Sequence, residues 1–222
     1  MKKILILILW ISILSALEAQ TSFEGYIIYR NMLLSPNPAM ISDSLYQEKI
    51  KATLGGFPYF FQKYYYQGKN YKSEMNINGN TTLQLYNPND LKLYTWSGGK
   101  EEATYVMTNV ADDEIVKIEK FKEEEVILGE KCKKIVIIGK KMITTYWYNP
   151  NKYKVNYEDY KSHSYSFWNE YLKQTGALPL KFDVKTSTVH IISTANEVKV
   201  EKIKSDFFDL PKFKSVAQSK LY

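Results

Sequence analysis

Apolar and polar positions alternate over short runs from Phe57 onward, and turn-forming residues interrupt them at close intervals. Residues 59–66 and 71–77 flank Gln67-Gly68-Lys69-Asn70, a hairpin signature with glycine in the turn. Asn78-Gly79-Asn80, Asn87-Pro88-Asn89-Asp90 and Ser97-Gly98-Gly99-Lys100 then separate strands expected at 82–86, 91–96 and 103–108. The series continues at 116–121, 133–138 and 142–148, linked by residues 122–132, where Gly129 permits a bend, and by Gly139-Lys140-Lys141. Two longer strands close it, at 180–186 and 189–203. Ahead of the series, residues 23–29 read as a first strand with apolar side chains on both parities, which predicts cover on both faces. Parallel crossovers need helices between strands, and there is no room for them. The pattern predicts an antiparallel meander, mainly β with an α+β character.

Two helices are expected. Ser44 with Gln47 has capping-box spacing, Tyr46, Ile50 and Leu54 recur every four residues, and Gly55-Gly56 ends the run; an earlier start at Asn37-Pro38 also fits. Within 164–175, Trp168, Tyr171, Leu172 and Thr175 form an i, i+3, i+4, i+7 stripe that Gly176 can terminate. Lys2 and Lys3, an apolar run through Leu14 and the small residues Ser15, Ala16 and Ala19 have the form of a secretory signal peptide. Residues 1–19 are therefore expected to be removed, against the rival of an uncleaved anchor. The apolar run is short for a bilayer crossing, which takes about 20 residues, and no transmembrane segment is expected in the mature chain. No cysteine follows the run to accept a lipid. One domain is expected over 20–212, with Asp206 to Pro211 ending its ordered part and 213–222 forming a loose tail.

Composition narrows the chemistry more than it identifies it. The 222 residues are 45% hydrophobic and 24% charged, an ordinary globular balance that needs no disulfide or metal staple. The net charge is +6, but Arg30 is the only arginine, which argues against a nucleic-acid partner because such sites lean on the guanidinium fork. Paired metal ligands, a glycine-rich phosphate loop and a nucleophile elbow are all missing, so neither an enzyme nor a cofactor is expected. His163 and His190 carry the rival hydrolase reading. Cys132 reads as a core thiol, because in an extended strand Lys131 and Lys133 point away from it. The acidic runs 112–114 and 123–125 read as solvated turns. The aromatic load on the strands stands out: Tyr59, Phe61, Tyr64, Tyr66, Trp96 and Trp147, with Trp168 on the second helix, are the candidate ligand-binding residues. Such rings either fill a core or line a cavity, and strand alternation lets only half of any run point inward.

Several short segments, in order, resemble an exported bacterial family with a lipoprotein-carrier-like (LolA/LolB-like) half-barrel. They are Phe23-Glu24-Gly25-Tyr26-Ile27-Ile28-Tyr29, Gly68-Lys69-Asn70-Tyr71-Lys72-Ser73-Glu74, Gly129-Glu130-Lys131-Cys132-Lys133-Lys134, Gly176-Ala177-Leu178-Pro179-Leu180 and Phe208-Asp209-Leu210-Pro211. The resemblance implies a strongly curved, open half-barrel sheet wrapped around one or two helices, with an apolar concave face. In the carriers that face holds acyl chains, whose removal from water is favourable by about 0.8 kcal/mol per CH₂. Here the first helix follows the first strand instead of preceding it, so no carrier residue is carried over. The expected function is a non-enzymatic protein of the periplasm or cell envelope of a double-membrane bacterium. It would bind an apolar ligand, lipid or lipidated segment in the concave face. The alternative is an envelope protein-interaction or scaffold module with a filled core.

Overall fold

The computed structural model of the chain describes residues 22–219; the expected signal peptide lies outside them. Strand pairing follows the turn chemistry. After β1 (Gly25–Leu34) and the helix α1 (Asp43–Ile50) comes a run of hairpins: β2 (Tyr59–Gln67), β3 (Asn70–Ile77), β4 (Asn80–Asn87), β5 (Lys92–Ser97) and β6 (Glu102–Met107). A second run comprises β7 (Ile115–Ile127), β8 (Glu130–Gly139) and β9 (Ile143–Tyr148). The helix α2 (Trp168–Thr175) follows, then β10 (Lys181–Lys185), β11 (His190–Val200) and the short β12 (Ser215–Gln218). Among the described residues, twelve strands join one sheet in the order β12-β6-β5-β4-β3-β2-β1-β11-β10-β9-β8-β7. β1 lies in its interior, antiparallel to β2 on one side and to β11 on the other. The sheet is mostly antiparallel, β12 pairing parallel with β6. No helix among the described residues is long and apolar enough to cross a membrane.

Three expectations change. Residues 122–132 are not a linking segment: β7 runs on to Ile127 and pairs with β8 in a hairpin, with a bulge between Phe121 and Glu124. β7 is an edge strand, where a run of glutamates is tolerated because charge on an edge blocks further pairing. Within the expected tail, residues 215–218 form a strand that pairs with β6 and keeps its side chains exposed, while 220–222 lie outside the described residues. Lastly, α1 buries none of its residues. Ser42 caps it, its hydroxyl accepting from the Leu45 N–H, and the helix ends at Ile50, so Leu54 belongs to the turn beyond and is buried there. Of its apolar residues only Tyr46 and Ile50 share a face four apart, too narrow a stripe to dock it.

α2 fulfils its pattern. Tyr171 and Leu172 are fully buried, and Gly176 takes a left-handed φ of 58° so that its N–H reaches the Leu172 carbonyl at 2.7 Å. The helix lies on the face of the sheet to which Ile27, Tyr29, Tyr66, Tyr71, Tyr86, Ile135 and Tyr146 point, and together they form the main core. On the other face, Leu85, Tyr94, Trp96 and Ala103 form a second core under Phe208, with Phe207, Leu210 and Phe213 packed against it. Adjacent residues in β4 and β5 divide between the two, as a period of two requires.

A candidate ligand site lined by tyrosines

Hairpin register assembles the site. The Gly68-Lys69 turn sets Tyr66 opposite Tyr71, and the next hairpin sets Tyr71 opposite Tyr86. Aromatic rings therefore run in a row across three strands, with centroids 6.2 Å apart from Tyr66 to Tyr71 and 5.3 Å from Tyr71 to Tyr86. Tyr29 on β1 and Tyr146 on β9 continue the aromatic wall through Phe182 on β10, at 5.1 and 6.5 Å. Tyr146 also stacks on Tyr171 of α2 at 4.0 Å.

The segment ahead of α2 closes the space over this row. Tyr160 donates its hydroxyl to the Gly68 carbonyl at 2.9 Å, which ties the segment to the β2–β3 turn. His163 follows, its N–H bonded to the Tyr160 carbonyl and its own carbonyl accepting from the Asn169 N–H, both at 2.8 Å. The His163 ring lies 4.7 Å from the Tyr86 ring, and its Nε2 is 2.8 Å from the Tyr71 hydroxyl. Ser166 and Phe167 then take φ of 54° and 60° in succession, a conformation unfavourable for side-chain-bearing residues. Asp112 holds this turn by accepting from the Ser166 N–H at 2.8 Å, and the Tyr146 hydroxyl donates to the Ser166 carbonyl at 3.3 Å.

The result is a cavity of about 250 Å³ lined by tyrosines 29, 64, 66, 71, 146 and 165, with Gln84, Leu93, His163, Ser166, Trp168, Pro179, Phe182 and Val184. Its lining carries no Asp, Glu, Lys or Arg. Burial pushes the phenols of Tyr29, Tyr66 and Tyr71 well above their usual range and that of Tyr64 up to about 12, so they stay protonated. Burial also holds His163 down to about 4, opposed in part by the backbone at His163 and Tyr165, so its ring is neutral at physiological pH. The wall is uncharged.

Of the expected binding residues, the structure brings Tyr64, Tyr66 and Trp168 to the cavity. The other four lie elsewhere. Tyr59 and Phe61 have the opposite parity on β2; their rings pack 5.6 Å apart in line with Phe57, and Phe61 is 44% exposed. Trp96 belongs to the second core, 5.5 Å from Phe213. Trp147 has the opposite parity to Tyr146, and Lys181 Nζ stands 4.3 Å from its ring. Tyr71 could have been found from the two-residue hairpin turn, which fixes it opposite Tyr66. His163 had no local signal: it reaches Tyr71 from 92 residues away.

The remaining reactive groups stand apart from the cavity. Cys132 is a buried free thiol, pushed up to about 11 by burial and then by Glu130 and Glu125, hence a poor nucleophile. His190 Nε2 lies 3.0 Å from Asp183 Oδ1 on the neighbouring strand. Among the described residues, no group of three or more His, Cys, Asp or Glu is placed to hold a metal ion.

No protein-family model and no curated protein matches this sequence. Solved structures superpose on the chain at low sequence identity. One of PNGF-II, in a C2 crystal form, superposes with a TM-score of 0.50 at 14% identity, covering 89% of this chain and 31% of that one. A second PNGF-II structure, in a P21 form, gives a TM-score of 0.46 at 12% identity with the same coverage. An uncharacterized conserved protein from Thermus thermophilus gives 0.48 at 10% identity, covering 94% of this chain and 98% of that one. The chain thus spans about a third of the length of PNGF-II and nearly the whole of the Thermus protein. The likeness to PNGF-II at a TM-score of 0.50 is one of fold alone.

Proposed function

We propose that this chain is an exported, non-enzymatic binding protein of the bacterial envelope that takes an apolar ligand into the tyrosine-lined cavity. The observation that carries the reading is the cavity itself: about 250 Å³ between the sheet and the α2 segment, walled by aromatic rings and without a charged side chain. Apolar surface leaves water favourably there at roughly 25 cal/mol per Å². A cavity of this size favours binding over a fully closed core.

The reading includes a sheet curved around α2, and chain connectivity supports this. β6 and β7 stand ten places apart in the strand order. At about 4.8 Å per strand a flat sheet would separate them by roughly 48 Å. Only residues 108–114 join them, a link that spans at most about 29 Å when fully extended. A bend that brings the two sides of the sheet together, as in a half-barrel of the lipoprotein-carrier kind, accounts for so short a link. The outward line of Phe57, Tyr59 and Phe61 favours a second role in contacting an envelope partner, since apolar rings in a row on a surface are uncommon without one.

Native mass spectrometry of protein purified from its own envelope tests the binding role, together with titration of the delipidated protein with a panel of apolar and amphiphilic probes. A co-purifying mass or saturable binding is expected, and Leu93→Trp, which places an indole in the cavity, is expected to abolish it while the fold is retained. A delipidated protein that takes up no probe ends this reading.

A further inference from the structure

Among the buried polar atoms of residues that line the cavity, Trp168 Nε1 has no hydrogen-bond partner, and His163 Nδ1 has none beyond the backbone beside it. The other polar groups of the wall are engaged within the protein. The Tyr29 hydroxyl donates to the Pro179 carbonyl at 2.6 Å, Tyr71 pairs with His163 Nε2, and Tyr146 donates to Ser166. Tyr64 is hydrogen-bonded to Ser73 and Gln62. Native proteins rarely leave buried donors unmatched, and an unmatched indole N–H in a cavity wall calls for an explanation. His163 is only 2% exposed, so bulk water does not solvate its ring.

Size and chemistry restrict what could match them. A cavity of about 250 Å³ has room for a substituted or fused ring. Most of its lining residues are aromatic, and such rings favour another ring by stacked or edge-on contact. The absence of lining charge disfavours an ionised ligand, whose burial would go uncompensated. An indole Nε1 can only donate, so the ligand must offer an acceptor to satisfy it. His163 Nδ1 is a donor if the Tyr71 hydroxyl donates to Nε2 and an acceptor if it accepts, so this ring can adapt its tautomer to the ligand.

We infer that the cavity selects a neutral, planar aromatic compound bearing a carbonyl-type hydrogen-bond acceptor, in preference to a saturated acyl chain. The inference rests on the binding role proposed above and names the class of ligand. Trp168 supplies the anchoring proton, and the tyrosine row supplies the faces.

Calorimetric titration of the delipidated chain with 1-indanone, indane and 1-octanol tests it, because the first two differ chiefly by the carbonyl and the third is a flexible chain. Indanone is expected to bind at least about tenfold more tightly than indane or octanol. Trp168→Phe is expected to remove most of that margin while leaving indane affinity nearly unchanged, a split that general damage to the fold would not produce. His163→Gln is expected to reduce the same margin. Equal affinities for indanone and indane would overturn the polar anchor, and tighter binding of octanol would overturn the aromatic class; either result leaves the cavity as a binding site. Failure of all three probes, with no response from the wider amphiphile panel, would overturn the inference and the binding role together.

Discussion

His163 shows how one side chain couples burial to stability. Its ring is enclosed by Tyr71, Tyr86 and the α2 segment, and burial keeps it neutral until about pH 4, against an ordinary value of 6.5. In the unfolded chain the imidazole takes up its proton near 6.5 and in the folded chain only near 4. Between those values the unfolded state binds more protons. Folding stability is therefore intact above about pH 6.5 and is lost as pH falls toward 4, by up to roughly 3 kcal/mol at 1.36 kcal/mol per pH unit. His163→Gln is expected to flatten the dependence of the urea midpoint on pH in this window. Glu24 acts in a separate one. Lys202, the Ile203 N–H and Gln67, in that order, hold its carboxyl at about 2 against 4.5, so its contribution is present above 4.5 and fades from there toward 2. A variant lacking His163 that kept the full slope between 6.5 and 4 would place the titration elsewhere.

At the scale of elements, the β8–β9 turn and the start of α2 are locked together at Gly139. A Cβ there would lie 2.1 Å from Asp113 Oδ2 and 2.6 Å from Phe167 Cζ. The Asp113 carboxylate cannot simply move aside, because Oδ2 accepts from the Lys141 and Met142 N–H groups, both at 2.9 Å. Gly139→Ala is expected to destabilise the fold by about 2 kcal/mol, as overpacking of a filled site does. It should also weaken ligand binding, because Phe167 sits between Ser166 and Trp168 of the cavity wall; equilibrium denaturation and calorimetry read the two effects separately. This lock was not legible in the sequence, where Gly139 marks only a turn and Asp113 only a charged one. What could be read was local. The Gly68-Lys69 turn placed β2 against β3, and the stripe from Trp168 to Thr175 placed α2, because both are set by neighbours within a few residues. The continuation of β7 beyond Phe121 is hidden because charge density reads as solvent, whereas an edge strand accepts it. Ring content groups Tyr59 and Phe61 with Tyr64 and Tyr66, but strand parity sets the two pairs on opposite faces. The contacts that finish the cavity, Tyr71 with His163 and Tyr146 with Ser166, join separate parts of the chain and follow from the assembled sheet alone.

The whole molecule keeps its sheet covered on two faces by different parts of the chain, and the outer cover comes last. Inside, α2 and its flanking segments pack on the main core; outside, residues 205–213 lie over β4, β5 and β6. There Phe207 rests 4.6 Å from the Tyr65 ring, Phe208 is buried, and Phe213 meets Trp96 at 5.5 Å. The parallel strand β12 that follows contributes backbone bonds to β6 while its side chains remain in solvent. Two truncations should therefore differ sharply although they begin only nine positions apart. Removing residues 214–222 strips β12 and its edge pairing, at a cost of about 1 kcal/mol, since each exposed backbone bond exchanges for one with water. Removing residues 205–222 also uncovers Leu85, Tyr94 and Trp96, and at about 1.5–3 kcal/mol for each large apolar group returned to water the loss is on the order of 4 kcal/mol. Chemical denaturation of both variants reads the difference directly. The longer deletion should leave the cavity's own walls in place, because Tyr29, Tyr66, Tyr71 and Trp168 contribute to the opposite face. Probe affinity per folded molecule should then be nearly unchanged while stability falls. If the two truncations were equally stable, the outer cover would be an ornament of the sheet and not part of what holds it.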